Sequence, residues 1–212
     1  MSLAEVSEST AVGGIVMATT TDVYTFRDYL NAVDEHRKAH LLDGMIVMES
    51  PASLRHEQIV SFLNFLLVGF VSEKELGIVL GSHAAFRLKG HNAVQPDVAF
   101  ISNERLHLAT THYFNGPPDL AVEIVSKGTR KLDYERKKNA YERAETPELW
   151  IIDYLERRAD FFTLSKGAFQ SLPLERGRLA SSRVLPGFQV DVRWFFSDPL
   201  PNPSTILKKL LD

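Results

Sequence analysis

Residues 120–125 read Leu-Ala-Val-Glu-Ile-Val, a nearly continuous apolar run broken by one acid. A run so short and so apolar suits a strand covered on both faces, and such strands lie at the centre of sheets flanked by helices. Glu123 then demands an explanation, because a carboxylate inside a buried strand costs free energy unless it is paired or bound to a cation. Leu149–Asp153 is a second run of the buried kind. Between the two, Thr129 to Glu145 reads as a charged helix closed near Pro147. Strand, helix and strand in that order point to the α/β class.

The remaining segments extend the pattern. Tyr24 to Ala39 predicts a helix, with Thr25 as its cap, Asp28 three residues on, and Phe26, Tyr29, Leu30 and Val33 at helical spacing. The turn pair Asp43-Gly44, set between apolar stretches of residues 40–49, predicts a hairpin. Ser53 opens a second helix to about Ser72, apolar almost all round through Ile59, Phe62, Leu63, Phe65, Leu66 and Phe70, and so buried against a sheet. Gly77–Leu80, Ala84–Leu88 and Val94–Ile101 read as strands, and Asn115-Gly116-Pro117-Pro118 as a break. Ala159–Leu164, Ala168–Leu172 and Gln189–Val192 read as a C-terminal β meander with turns at Lys166-Gly167 and Pro186-Gly187. The expected fold class is α/β (α+β), a mixed central sheet flanked by helices. It forms a single domain over residues 21–212, after a flexible N-terminal extension over residues 1–20 rich in Ser, Thr, Ala and Gly.

Composition narrows the functions such a domain can have. The 212 residues are 44% hydrophobic and 24% charged, which suits one domain with a sizeable core. With no cysteine there is neither disulfide nor thiolate zinc site, and a cytoplasmic setting fits. No apolar run approaches the roughly 20 residues that cross a bilayer. A net charge of −3 excludes a surface coated in positive charge, so contact with nucleic acid has to use a local basic patch. The richest one is the helix at 129–145, where Arg130, Lys131, Arg136, Lys137, Lys138 and Arg143 face only Asp133, Glu135 and Glu142. A solvated helix face with i,i+4 pairs accounts for most of these charges. Arg130 and Lys138 are the candidates for substrate contact.

The acids carry the chemistry. Alternation along Val94–Ile101 puts Asp97, Ala99 and Ile101 on one face, and alternation along 120–125 puts Ala121, Glu123 and Val125 on one face. If the strands are neighbours, Asp97 and Glu123 lie side by side among small and apolar residues. Alone, Asp97 reads as a carboxylate opening a strand after Pro96, and Glu123 as the partner of a lysine. Together, two poorly solvated carboxylates repel, and a hard divalent cation relieves both costs. Magnesium suits such a pair because it keeps several waters and leaves coordination positions for a phosphate. Asp133, Lys137 and Tyr141, at i, i+4 and i+8, share the helix face that returns toward Glu123.

In order along the chain stand Asp43-Gly44, Ser50-Pro51, His56, Gln95-Pro96-Asp97-Val98-Ala99-Phe100, Pro118-Asp119 running into Leu120–Ser126, and Thr129-Arg130. Asp133, Lys137, Tyr141, Leu149-Trp150-Ile151-Ile152-Asp153 and Leu185-Pro186-Gly187-Phe188 follow. From about Tyr24 to Phe196 this ordered set resembles the Uma-two family of endonucleases, whose fold is restriction-endonuclease-like, of the PD-(D/E)XK kind. The resemblance implies a metal-dependent phosphodiesterase acting on DNA with Mg²⁺ or Mn²⁺. Pro96-Asp97 matches the PD element and Glu123 the acidic position, with the Ile124 carbonyl joining Asp97 and Glu123 as metal ligands. The motif lysine falls on Val125, and the matching lysine is Lys137, there to orient the attacking water or to neutralise the transition state.

Two departures stand out. Met45 and His40 occupy positions where the family often has glutamate, and neither Glu49 nor Glu57 clearly fills the vacancy. A catalytically impaired protein that keeps the nuclease fold as a binding or scaffold module is the alternative, and a phosphodiesterase acting on small nucleotides a third reading. His56 matches a family histidine. It either contacts the scissile phosphate or a water, or is a helix N-terminal histidine bonded to backbone. Gln95 points to the opposite face, Tyr141 packs with its hydroxyl near Asp133 or Lys137, Trp150 is core, Asp119 opens its strand, and Ser126 is a loop or cap hydroxyl. Cutting both strands of a duplex asks for two sites, so a homodimer is expected.

Overall fold

The computed structural model describes residues 16–17, 23–33 and 37–212. The extension expected over residues 1–20 therefore lies outside the described residues, except for β1 (Val16–Met17), which pairs with β3 (Met45–Met48) below. Thr25 and Asp28 form the expected capping box at α1 (Phe26–Ala32): the Asp28 amide donates to Thr25 Oγ1 at 3.3 Å, and the Thr25 amide to Asp28 Oδ2 at 2.8 Å. The helix is shorter than its apolar spacing predicts. By Lys38 the backbone is already paired, since the Glu49 amide donates to the Lys38 carbonyl at 3.0 Å and β2 (Ala39–Leu42) follows directly. Sheet pairing overrides helix propensity there. Asp43 and Gly44 take φ of 51° and 76°, the left-handed pair that a two-residue hairpin turn requires, and they join β2 to β3 with His40 opposite Val47.

α2 (Leu54–Glu73) is the long apolar helix expected from Ser53 onward; Ser53 Oγ accepts from the His56 amide at 3.2 Å. After it come β4 (Gly77–Gly81), β5 (Phe86–Arg87), β6 (Ala93–Val94) and β7 (Val98–Ser102). The single strand expected over Val94–Ile101 is thus two strands. Pro96 has no N–H to give a ladder, and at Gln95-Pro96-Asp97 the chain leaves a small sheet of order β1-β3-β2-β6-β5 and enters the central one.

The central sheet adds β8 (Leu120–Ile124), β9 (Glu148–Asp153), β10 (Arg158–Ser165) and β11 (Ala168–Ser171), in the order β11-β10-β9-β8-β7-β4. β8 runs antiparallel to β7 and parallel to β9, so the sheet is mixed as expected. The crossover between β8 and β9 carries a helix that is π-helical over Leu132–Lys137 and continues as α3 (Lys138–Arg143). β9, β10 and β11 make the meander. The last expected strand, β13 (Gln189–Asp191), pairs instead with β12 (Leu179–Ser181) in a separate ribbon. A final helix, α4 (Pro203–Leu211), was not anticipated; it is capped by Asn202 and packs Leu207 against α2 at Gly69.

Alternation along the central strands divides the core in two. Val98, Phe100, Val122, Ile124, Trp150 and Ile152 face α2 and its Leu63, Leu66 and Phe70. Ala99, Ile101, Ala121, Val125 and Ile151 face the opposite way, against Leu132, Ala140 and Tyr141 of the crossover helix. β8 is buried along its whole length, as its composition demands.

Candidate active site

Val98 pairs with Val122 and Ala99 with Ala121, so the antiparallel register carries Asp97 to the level of Glu123 at one end of the central strands. Asp97 is tied there twice: its amide donates to the Val122 carbonyl at 3.0 Å, and its Oδ2 accepts from the Ile124 amide at 2.7 Å. Both acids are deeply buried, Asp97 at 2% and Glu123 at 1% exposure. The crossover helix covers them on the face the spacing predicts. Lys137 Nζ donates to Glu123 Oε2 at 3.0 Å and lies 2.9 Å from Asp133 Oδ1; the Tyr141 hydroxyl donates to Glu123 Oε1 at 2.7 Å. The π-helical turn lies under this contact, and such turns concentrate at functional sites.

The hairpin supplies two residues that the sequence reading did not place. Glu49 Oε1 accepts from Lys137 Nζ at 2.7 Å and from His40 at 2.6 Å, and Lys38 Nζ lies 2.5 Å from Asp97 Oδ1 and 3.6 Å from Glu49 Oε2. The signal was present: counting outward from Asp43-Gly44 pairs Leu42 with Met45 and Ala39 with Met48, and the next step brings Lys38 opposite Glu49. Thus His40 contributes no carboxylate but braces one. Its Nδ1 accepts from the Gln95 amide at 3.2 Å, so Nε2 carries the proton given to Glu49. Met45 is 38% exposed at the hairpin and takes no part in the cluster.

His56 Nε2 donates to the Ile124 carbonyl at 2.9 Å and lies 3.4 Å from Asp97 Oδ2. It is thus a histidine of the first helical turn bonded to backbone, as one of the two expectations has it, and it also lines the cleft. That cleft, of about 570 Å³, is walled by Arg37, Lys38, Glu49, His56, His83 and Asp97 among others; Glu123 and Lys137 do not line it, and Lys137 meets its wall through Glu49. Arg130 and Lys138 do not line it. The Arg130 guanidinium is committed to Asp153 at 2.6 Å and Glu156 at 3.1 Å, and Lys138 Nζ sits 4.7 Å from the centre of the Phe162 ring on β10. The basic lining of the cleft comes from the segment before β2 and from His83 instead. Gln95 is structural, holding the Ala39 amide at 2.8 Å; Trp150 is core; Asp119 holds the Ser102 amide and Arg105 beside its strand. The Ser126 hydroxyl bonds Thr129 in the loop.

Electrostatically the cluster is short of positive charge. Among the described residues, Asp97, Glu123, Glu49 and Asp133 face two ammonium groups, Lys38 and Lys137, with the imidazoles of His56 beside Asp97 and His40 beside Glu49. Burial raises Asp97, yet Lys38 and His56 outweigh it and hold the acid below the usual carboxylate range. Burial likewise raises Glu49, and Lys137, Lys38 and His40 more than reverse it. For Glu123 burial wins over Lys137 and Lys38 and lifts it to about 7; Asp133 is raised for the same reason. Asp133 Oδ2 is also buried with no hydrogen-bond partner among the described residues. Burial and Lys137 push His40 down to about 4, although Glu49 pulls the other way, so it is neutral at pH 7. Burial pushes His56 down and Asp97 pulls it up more strongly, for a net rise.

A hard cation suits this donor set. The acceptors are carboxylate and carbonyl oxygens, and burial raises both Glu123, to about 7, and Asp133, a cost of ionisation that a cation would relieve. Among the described residues no three His, Asp or Glu side chains are already disposed as a metal cage, so Asp97, Glu123 and the Ile124 carbonyl are the donors that would hold it, with water for the rest.

A mixed sheet between helices, with one buried carboxylate at the entry to β7, a second on the adjoining β8, and a lysine reaching the second from the crossover helix, defines the restriction-endonuclease-like class. The chain belongs to the Uma2 (Uma-two) family, described as "Putative restriction endonuclease", which matches residues 25–193. Among solved structures it is similar to a "putative nuclease belonging to DUF820" from Anabaena variabilis ATCC 29413. That likeness has a TM-score of 0.69 and 14% identity, and covers 81% of this chain and 97% of that one. At such identity it is one of fold. No protein of curated function matches the chain in sequence.

Proposed function

We propose that this protein is a divalent-metal-dependent endonuclease hydrolysing phosphodiester bonds in DNA. The observation that carries the reading is the burial of Asp97 and Glu123 at one level, side by side, with Asp97 lining a cleft walled by Arg37, Lys38, His56 and His83. Asp97, Glu123 and the Ile124 carbonyl would hold magnesium or manganese, which when bound supplies Lewis acidity toward phosphate oxygen and toward water. The reaction is in-line attack of water on phosphorus, with the P–O bond to the leaving sugar oxygen breaking and that oxygen taking up a proton. Arg37 and His83 on the cleft wall meet the charge of the nucleic-acid backbone. His56 fixes the Ile124 carbonyl and Asp97 relative to each other. Lys137, at 1% exposure and bonded to three acids, acts as a positioning residue through Glu123 and Glu49 rather than on the attacking water. Cutting both strands of a duplex calls for two such sites, so a two-fold dimer belongs to this reading.

The test is nicking of supercoiled DNA with Mg²⁺ or Mn²⁺, against Asp97→Ala and Glu123→Ala variants whose fold is checked by circular dichroism. Both should be inactive, and undiminished cutting by the Glu123 variant would sink the assignment. A second reading has its own observation. All four carboxylate oxygens of Asp97 and Glu123 are already bonded inside the protein, to Lys38, the Ile124 amide, Tyr141 and Lys137. That arrangement also suits a nuclease fold kept as a scaffold. Absence of Mn²⁺ binding by calorimetry, together with no cleavage of DNA or RNA, would favour it.

A further inference from the structure

The two lysines of the cluster are held very differently. Lys137 is buried and does not line the cleft, and three carboxylates lie within 3.0 Å of its nitrogen. Its departure would leave Glu49, Asp133 and Glu123 buried without the cation they share. Lys38 lines the cleft at 14% side-chain exposure, touches Asp97 Oδ1 at 2.5 Å and has only a loose 3.6 Å contact to Glu49 Oε2. Its backbone is pinned by the Glu49 amide, so the side chain alone is free to move, on a flexible four-carbon stem.

The acceptor atoms show the same division. Asp97 Oδ2 is fixed by the Ile124 amide, and Glu49 Oε1 is fixed by His40 and Lys137. What remains toward the cleft is Asp97 Oδ1 and Glu49 Oε2, two oxygens sharing one ammonium. A cation taking both needs one change only, the withdrawal of Lys38. Two cations cannot occupy the place together, because unit charges about 4 Å apart repel by several kcal/mol even at a protein-like dielectric.

We propose that Lys38 is the resident counter-ion of this site. It holds the place at Asp97 and Glu49 that a divalent ion takes, with Glu49 as the third carboxylate ligand, and once displaced it turns into the cleft to meet the substrate phosphate. This rests on the metal-dependent reading above and adds to it a second functional lysine, on the cleft side.

The experiment is Mn²⁺ titration of the full-length protein by calorimetry, wild type beside Lys38→Met and Glu49→Gln, with DNA nicking at saturating Mn²⁺ as the second readout. Lys38→Met should bind Mn²⁺ at least about tenfold more tightly, as removal of a competing charge requires, yet cut at least about tenfold more slowly. Glu49→Gln should bind more weakly. A lysine with a purely structural role would lower both readouts. Equal or weaker Mn²⁺ binding by Lys38→Met overturns the proposal while the metal-dependent reading stands; no Mn²⁺ binding by either protein overturns both. Should Lys38→Met fail to fold, amine labelling of Lys38 in the wild type replaces it. Mn²⁺ should speed that labelling, and an unchanged or slower rate refutes the displacement.

Discussion

Replacing Lys137 by methionine tests the charge account of the cluster, because methionine keeps most of the stem and removes only the ammonium. Glu49, Asp133 and Glu123 lie 2.7, 2.9 and 3.0 Å from that nitrogen, and the side chains of Lys137, Asp133 and Glu123 are at most 2% exposed. Breaking a buried pair by deleting one partner costs about 3–5 kcal/mol, and here three acids lose one cation. The cost must depend on pH. Without Lys137 the folded acids take up protons more readily, so the variant's native state holds protons that the wild type has released. Each extra proton bound only in that native state makes stability fall by about 1.4 kcal/mol per pH unit as pH rises. Urea unfolding in EDTA should therefore show a loss of about 3–5 kcal/mol at pH 8. At pH 5 the loss should shrink to about 1–2 kcal/mol, the worth of the remaining hydrogen bonds and packing. A loss under about 1 kcal/mol at pH 8, or one that is the same at both pH values, would mean that Lys137 does not offset the charge of these acids.

Glu123→Gln should show the opposite trend in metal-free protein. Folded Glu123 keeps its proton to about 7, against an ordinary value of 4.5. Its contribution is therefore full below about pH 4.5 and is lost as pH rises toward 7, so the glutamine variant should gain on the wild type between pH 5 and pH 8 in parallel urea titrations. A stability difference that is constant across that range would contradict the raised carboxylate. Gly77→Ala tests the sheet edge beside β7. An added Cβ would stand 2.0 Å from the Ile101 carbonyl oxygen, at a φ of 155°, and the neighbouring atom is backbone that cannot rotate away. A loss above about 2 kcal/mol is expected by chemical denaturation, and a neutral substitution would show that β4 does not hold that register.

Much of the site was legible because it is written in short-range pattern. Glu123 interrupts an apolar run, Asp97 shares a face with Ala99 and Ile101, and Asp133, Lys137 and Tyr141 repeat every fourth residue; each places a side chain by local geometry alone. What escaped depends on pairing between distant segments. Glu49 lies beyond such patterns because only the completed hairpin register sets it beside Lys38 and within 2.7 Å of the Lys137 ammonium. Lys38 itself read as helix, since Phe26, Tyr29, Leu30 and Val33 prolong a helical spacing past the point where sheet pairing takes over. The break at Pro96 was hidden by apolar residues on either side, although the missing N–H gave a physical reason for it. Charge alone marks out Arg130 and Lys138, whereas acidic and aromatic partners from β9, the turn after it and β10 hold them.

In the function proposed above, Asp97 and Glu123 are the carboxylates of one metal-binding hydrolytic site. The most direct measurement is anomalous scattering from a crystal soaked in Mn²⁺. A single peak within coordination distance of Asp97, Glu123 and the Ile124 carbonyl, about 2.0–2.3 Å, is expected. Metal-dependent cleavage in solution with no peak between those residues, or with the peak elsewhere on the molecule, would contradict it.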